Sequence, residues 1–190
     1  MTQRDCVFRD FLEREYEAGM ALAAASDRVS LRPLGPAPTR AYFAHFNCTG
    51  LVWRNGKVVE HDDFLVGIRF PDEYLEIFDT ARVLSWCAPN EIWHPNIRAP
   101  FVCVGNMQAG TPLVDLLYQL HEVITYQNVE MREQNALNHD ACMWARNNSQ
   151  RFPVDRRPLK RRLLTTGGGD TRAEAGGATR PAPGPQQQAG

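Results

Sequence analysis

The stretch Ile92-Trp93-His94-Pro95-Asn96-Ile97-Arg98-Ala99-Pro100-Phe101-Val102-Cys103 decides how this chain is read. It sets an imidazole, a proline turn and a carboxamide shortly before a single thiol. A thiolate is a strong nucleophile, and a carboxamide held nearby can donate a hydrogen bond to a carbonyl under attack. Phe101, Val102 and Val104 would equally suit a buried strand, and cysteine is by default a core residue. The surrounding sequence has to separate these readings.

Upstream, Val7, Phe8, Phe11, Leu12, Tyr16, Gly19, Met20 and Ala23 recur at helical spacing with Arg and Glu between them. This predicts an amphipathic helix ending near Ala25-Ser26. Strand signals follow at 29–34 and 41–46, separated by the breaker Gly35-Pro36-Ala37-Pro38. Leu51-Val52-Trp53 and Val58-Val59 flank Arg54-Asn55-Gly56-Lys57, the signal of a tight hairpin. Phe64, Val66, Ile68 and Phe70 alternate along another strand that Pro71 stops, and a last short strand is expected at 81–86.

Downstream, Thr111 reads as a helix cap with Pro112 at the first helical position. Leu113, Leu116, Leu117, Leu120, Val123 and Ile124 form one apolar stripe for the core. His121 is expected at the surface or edge of that helix. A further helix is expected from Asn138, near His139, with Ala141, Cys142, Trp144 and Ala145 spaced for burial. Arg156, Arg157, Lys160, Arg161 and Arg162 read as a solvated basic helix end, with partner docking as the competing reading. From Thr165 onward Gly, Ala, Pro and Gln dominate, a composition that cannot bury enough surface to order itself. The expected organisation is an α+β domain over 1–164 and a disordered tail over 165–190.

Composition narrows the function. With 43% hydrophobic and 23% charged residues the chain suits a soluble globular protein. A formal net charge of −1 supplies no field to attract nucleic acid or a membrane surface. The five cysteines, at 6, 48, 87, 103 and 142, contain no Cys-x-x-Cys and do not form a disulfide framework. The charged N-terminus, with Arg4, Asp5, Arg9, Asp10, Glu13 and Arg14, leaves no apolar stretch for a signal peptide, so the cytoplasm is the expected compartment. Cys6, Cys48, Cys87 and Cys142 are expected as inert core residues. Cys87, His94, Cys103 and His121 show no zinc spacing, and no cofactor is expected.

Helix, four-stranded antiparallel meander, His-Pro-Asn, a downstream cysteine and C-terminal helices, in that order, resemble a ubiquitin-conjugating enzyme. Phe64-Leu65-Val66-Gly67-Ile68-Arg69-Phe70-Pro71, followed by Tyr74, resembles that family's third strand and its proline–tyrosine exit. Ile92-Trp93-His94-Pro95-Asn96-Ile97 resembles its signature, and Leu137-Asn138 with Ala141 and Trp144 resembles the start of its penultimate helix. The likeness covers residues 4 to 150. It implies that Cys103 accepts the C-terminal carbonyl of a ubiquitin-like modifier from an activating enzyme docked on the N-terminal helix. The modifier then passes to an amine, typically a lysine, of a target protein. Asn96 would donate to the oxyanion or hold the loop, His94 would bond nearby backbone, and Pro95 would fix the turn.

The chain also departs from that pattern. The family's cysteine usually stands one residue further from the asparagine, and Pro100 lies within the shorter spacing here. Tyr74-Leu75-Glu76-Ile77-Phe78 replaces a proline-rich stretch, and the later tryptophan–proline pair is missing. The residue that helps an acceptor lysine lose its proton corresponds to Asn135, with Glu133 and Asp140 as substitutes. These departures resemble the divergent prokaryotic members found in bacterial ubiquitin-like conjugation operons, some of which act in antiviral defence. The alternative is a catalytically silent variant serving as a modifier-binding scaffold. A cysteine hydrolase would need a histidine base with an acidic orienter, and no such pair stands out.

Overall fold

The computed structural model describes residues 3–159. The tail expected at 165–190 and the basic residues Lys160, Arg161 and Arg162 lie outside the described residues. The architecture is α+β: an N-terminal helix, a four-stranded antiparallel sheet and further helices. Helix α1 spans Gln3–Ala24, and the strands that follow are β1 (Val29–Pro33), β2 (Ala41–Phe46), β3 (Gly50–Arg54), β4 (Lys57–His61) and β5 (Phe64–Arg69). One helical turn, α2 (Thr80–Val83), leads into β6 (Leu84–Ala88), and two short strands, β7 (Ile97–Arg98) and β8 (Phe101–Val102), lie between Asn96 and Cys103. Helices α3 (Leu113–Ile124) and α4 (His139–Asn147) complete the described chain. No helix among the described residues is long and apolar enough to cross a membrane.

The sheet order is β1-β2-β5-β6, and its register puts alternate residues on one face. Phe46 stands opposite Phe64, Ala44 opposite Val66 and Tyr42 opposite Ile68, while Val66 and Ile68 meet Trp86 and Leu84 of β6. All eight are buried, packed against Phe8, Phe11 and Leu12 of α1 and the leucine stripe of α3. Period-2 patterning on the strands and a helical stripe on α1 and α3 therefore meet in one core, as their spacing predicts.

The β3–β4 hairpin stands apart from that sheet as a separate two-stranded ribbon. Its loop is Asn55-Gly56, both in the left-handed region (φ 52° and 75°), the twist a two-residue hairpin loop needs. The expected consecutive meander is thus interrupted: β5 skips the hairpin and pairs with β2. The last strand also differs from expectation. Asp79 caps a helical turn by accepting from the Ala81 N–H, so residues 81–83 are helical and β6 begins at Leu84.

Helix α3 starts one residue later than Thr111-Pro112 suggested. The Thr111 hydroxyl donates to the Gln108 carbonyl instead of capping, and Pro112 occupies the cap position without a side-chain bond. The cap comes from α1: the Glu15 carboxylate, nearly buried, accepts from the Leu113 N–H at 2.6 Å. Burial raises the Glu15 carboxyl above its usual range, while the Leu113 N–H pulls the other way. Four residues further along α1, a Cβ placed on Gly19 would stand 2.6 Å from a Leu113 methyl carbon, so α1 and α3 touch through a glycine.

Beyond α4 the chain is not helical at Arg156 and Arg157 but an irregular strap, correcting the expected basic helix end. Leu159 is buried in the main core, and the Ser26 hydroxyl donates to its carbonyl. Asp155 pairs with Arg157 and with Arg28, the residue just before β1, at 3.5 Å for the latter, and Gln127 Nε2 donates to the Asp155 carbonyl. Glu15→Ala should destabilise the protein by about 1–2 kcal/mol in urea unfolding, the usual cost of losing a helix cap. Glu15→Gln keeps an acceptor oxygen and should lose less; equal losses would show that packing, not the cap bond, is what Glu15 supplies.

Candidate functional site

Residues 91–93 run along the edge of β3: Trp53 N–H donates to the Glu91 carbonyl at 2.7 Å and Trp93 N–H to the Leu51 carbonyl at 2.9 Å. The hairpin that left the main sheet therefore delivers His94 to its place. The next four residues fold back on themselves. His94 Nδ1 accepts the Asn96 N–H at 3.0 Å, and the His94 carbonyl accepts the Ile97 N–H at 3.1 Å. Pro95 sits between, buried, and its carbonyl accepts the N–H groups of Leu137 (2.9 Å) and Asn138 (3.1 Å). The turn thus anchors the entry to α4, where Asn138 caps by accepting from the Ala141 N–H at 3.1 Å.

Strands β7 and β8 form a hairpin around Ala99-Pro100, with Ile97 opposite Val102 and Arg98 opposite Phe101. The hairpin leans on the main sheet through Trp86 N–H, which donates to the Pro100 carbonyl at 2.8 Å. The next rung of this ladder is Asn96 and Cys103. Cys103 N–H donates to the Asn96 carbonyl at 2.8 Å, and Asn96 Nδ2 donates to the Cys103 carbonyl at 3.2 Å. The spacing of six intervening residues thus makes the two residues direct cross-strand neighbours. Val102 and Val104 are buried while Cys103 between them is half-buried, as alternation requires, and no hydrogen bond to its thiol occurs among the described residues.

His94 is fully buried with its ring edge-on to Tyr126, centroids 4.3 Å apart. Because Nδ1 accepts a hydrogen bond, the proton resides on Nε2, which has no partner among the described residues. Burial pushes its pKa down to about 3, so the ring is neutral at physiological pH. Tyr126 follows the end of α3 in the left-handed region (φ 59°), an unfavourable conformation for an aromatic residue. Its ring is held between His94 and Phe152, and its hydroxyl donates to the Trp93 carbonyl. Nothing in the sequence marks Tyr126 as the support of His94.

The Asn96 carboxamide is nearly buried and bridges two segments. Besides Nδ2 on Cys103, its Oδ1 accepts the Glu130 N–H at 2.8 Å. Glu130, which sequence reasoning missed, receives two bonds on its own carboxylate, from Arg132 N–H at 2.8 Å and Asn135 Nδ2 at 3.2 Å. These bonds hold the Glu130 carboxyl below its usual range. Asn135 therefore joins the site through Glu130. Glu133 begins the same 3₁₀ turn (Glu133–Asn135) and is exposed; Asp140 is exposed in the first turn of α4, and neither bonds Asn96 or Cys103. No sequence motif distinguishes Glu130, which stands in the irregular connection between α3 and α4.

The other cysteines separate cleanly. Cys48 and Cys142 are buried as expected; burial pushes the Cys48 thiol up to about 12 and raises Cys142 as well. Cys6 is half-buried. Cys87 is exposed, against the expectation of a core position, because Leu84 and Trp86 take the inner face of β6 and Cys87 falls on the open one beside Gly67. His121 is buried rather than at the helix edge: α3 is covered on that side too, where its ring feels the charges of Asp155, Arg28 and Arg157. His139 is the first residue of α4, as expected. Among the described residues, no three His, Cys, Asp or Glu side chains gather to hold a metal ion.

Two measurements probe this arrangement. A histidine with a lowered folded-state pKa binds fewer protons when folded, so stability is complete above the unfolded value near 6.5 and falls on acidification below it. Urea unfolding from about pH 7.5 to pH 5 should show this loss, up to about 1.4 kcal/mol per pH unit for each of His94 and His121. A flat profile would mean the rings reach solvent. Brief alkylation of the native protein should modify Cys103 and Cys87 well before Cys48 and Cys142, read by peptide mass; early labelling of Cys142 would contradict the packing of α4. In comparisons with known proteins, no protein-family model matches the chain and no curated protein matches its sequence.

Proposed function

We propose that the protein carries a ubiquitin-like modifier as a thioester on Cys103 and transfers it to an amine, as a divergent prokaryotic member of the ubiquitin-conjugating enzymes with that family's fold. The observation that carries this reading is the Asn96–Cys103 rung: a half-buried thiol-bearing residue at the end of a short hairpin, directly opposite a carboxamide bonded to its backbone. Two features support it further. An N-terminal helix packs on an antiparallel sheet upstream of the site, and two helices follow it.

In loading, the Cys103 thiolate attacks the carbonyl carbon of the thioester presented by an activating enzyme. The new S–C bond forms as the enzyme's S–C bond breaks, and the departing thiolate takes up a proton. In transfer, the acceptor amine attacks the same carbon, a C–N bond forms, Cys103 leaves as thiolate and the amine proton passes to solvent. Asn96 Nδ2 carries two hydrogens, and the Cys103 carbonyl takes one, leaving the other for the oxyanion of the tetrahedral intermediate. His94, neutral and fully buried, is a structural member and no base. A thioester is already activated, so the amine needs only to arrive deprotonated. Helix α1 would receive the activating enzyme, and Val7, half exposed on it, would take part.

With its cognate modifier, activating enzyme and ATP, the wild type should give a band shift that reductant removes. Cys103→Ala should abolish it, and Cys103→Ser or Cys103→Lys should leave an adduct that resists reductant. Persistence of the thiol-sensitive band in Cys103→Ala would defeat the assignment. Asn96→Ala should slow transfer roughly 10²–10³-fold while sparing loading. Wild-type binding of the modifier without any thioester would instead favour the scaffold.

A further inference from the structure

We propose that Glu130 is a positioning residue for this site: its carboxylate closes the turn at 130–135, and the backbone N–H of that turn holds the Asn96 carboxamide with Nδ2 toward Cys103. The catalytic consequence rests on the function proposed above; the geometric claim stands on its own.

The two ends of a carboxamide have almost the same shape, so packing alone does not choose which one faces Cys103. Hydrogen-bond polarity does. The Cys103 carbonyl only accepts and so selects the Nδ2 end, at 3.2 Å; the Glu130 N–H only donates and so selects Oδ1, at 2.8 Å. A flipped carboxamide would face donor to donor and acceptor to acceptor. The orientation is therefore as well defined as the Glu130 N–H is fixed.

That N–H lies at the start of a segment with little else to fix it. Met131, Arg132, Glu133, Gln134 and Asn135 are all exposed, and no strand pairs with them. What closes the turn is the Glu130 side chain, one oxygen on the Arg132 N–H and the other on Asn135 Nδ2, with Asn135 N–H returning to the Arg132 carbonyl at 3.0 Å. The buried Cys142 thiol lies 3.7 Å from the Glu130 carbonyl, and Pro95 accepts two N–H groups from the far end of the segment. A surface carboxylate whose two bonds both stay within its own turn contributes little to global stability. Its effect falls on the donor it presents to Asn96.

The test uses the full chain, labelled with ¹⁵N, and compares wild type with Glu130→Ala, Glu130→Gln and Asn135→Ala. The side-chain amide pair of Asn96, assigned by its loss in Asn96→Ala, should be dispersed and exchange slowly in the wild type. In Glu130→Ala it should move toward the positions and rapid exchange of a free amide. Glu130→Gln, which keeps an oxygen for the Arg132 N–H, should restore most of the wild-type signal, and Asn135→Ala, a milder loss, should fall between. An Asn96 amide pair unchanged in Glu130→Ala would overturn the proposal.

For function, discharge of preloaded Cys103 thioester to free lysine should slow about 10-fold in Glu130→Ala and be rescued by Glu130→Gln. In an Asn96→Ala background, Glu130→Ala should have no further effect, as expected of a residue acting through Asn96. Additive losses in the double variant would overturn the positioning role. If the wild type forms no thioester, the proposed function fails and the amide spectrum alone decides the role of Glu130.

Discussion

The Asn96 carboxamide is a polar group almost out of solvent, and such a group has to find partners at both ends or cost a large part of the protein's stability. Its partners lie on two different segments, the Cys103 strand and the connection before α4. One side chain thereby fixes the distance between the thiol-bearing hairpin and the C-terminal helices. Pro95, next to it, repeats the connection through its carbonyl to Leu137 and Asn138. The site exists because this turn ties segments that have no strand pairing with one another.

The stretch from Ile92 to Val104 also straddles two apolar clusters. Ile92, Ile97, Val102 and Val104 belong to the main core between α1, the sheet and α3. Trp93 packs instead with Leu51, Val58 and Tyr126, beside Trp144 and Phe152. Alternate residues of the stretch are thus held from two sides, while Phe101 and Cys103 are left outward of the buried valines. The β3–β4 ribbon, which joins no other sheet, serves as the wall of the second cluster. Tyr126 belongs to the second cluster: its ring supports His94 and its hydroxyl meets the Trp93 carbonyl, while its backbone is left-handed.

Where sequence reasoning differed from the structure, a contact from far along the chain intervened. Thr111 has the chemistry of a cap, but Glu15 of α1 reaches the Leu113 N–H first, and the helix begins one residue later. His121 occupies a position that a lone amphipathic helix would leave at its edge; the C-terminal strap, anchored by Leu159 and Asp155, brings its charges to that edge. Cys87 has the hydropathy of a core residue, yet its face of β6 is set by the pairing of Trp86 with Val66. At the site, His94, Pro95, Asn96, Cys103 and Asn135 are legible in the sequence, but Glu130, which connects Asn135 to Asn96, carries no local pattern.

By itself the sequence determined what depends on neighbours a few residues apart. Helical and alternating periods placed α1, β2, β5 and α3, and Asn55-Gly56 placed a hairpin, because backbone conformation and side-chain direction repeat over short distances. The pairing of Asn96 with Cys103 is not in that class: the β7–β8 hairpin that makes them partners turns on Ala99-Pro100, which carries no hairpin signal of the Asn-Gly kind. The burial of the His94 ring, the direction of the Asn96 carboxamide and the cap of α3 were set by packing between distant segments. Each of those rests on a polar or aromatic partner tens of residues away, and a linear pattern holds no record of which distant group arrives.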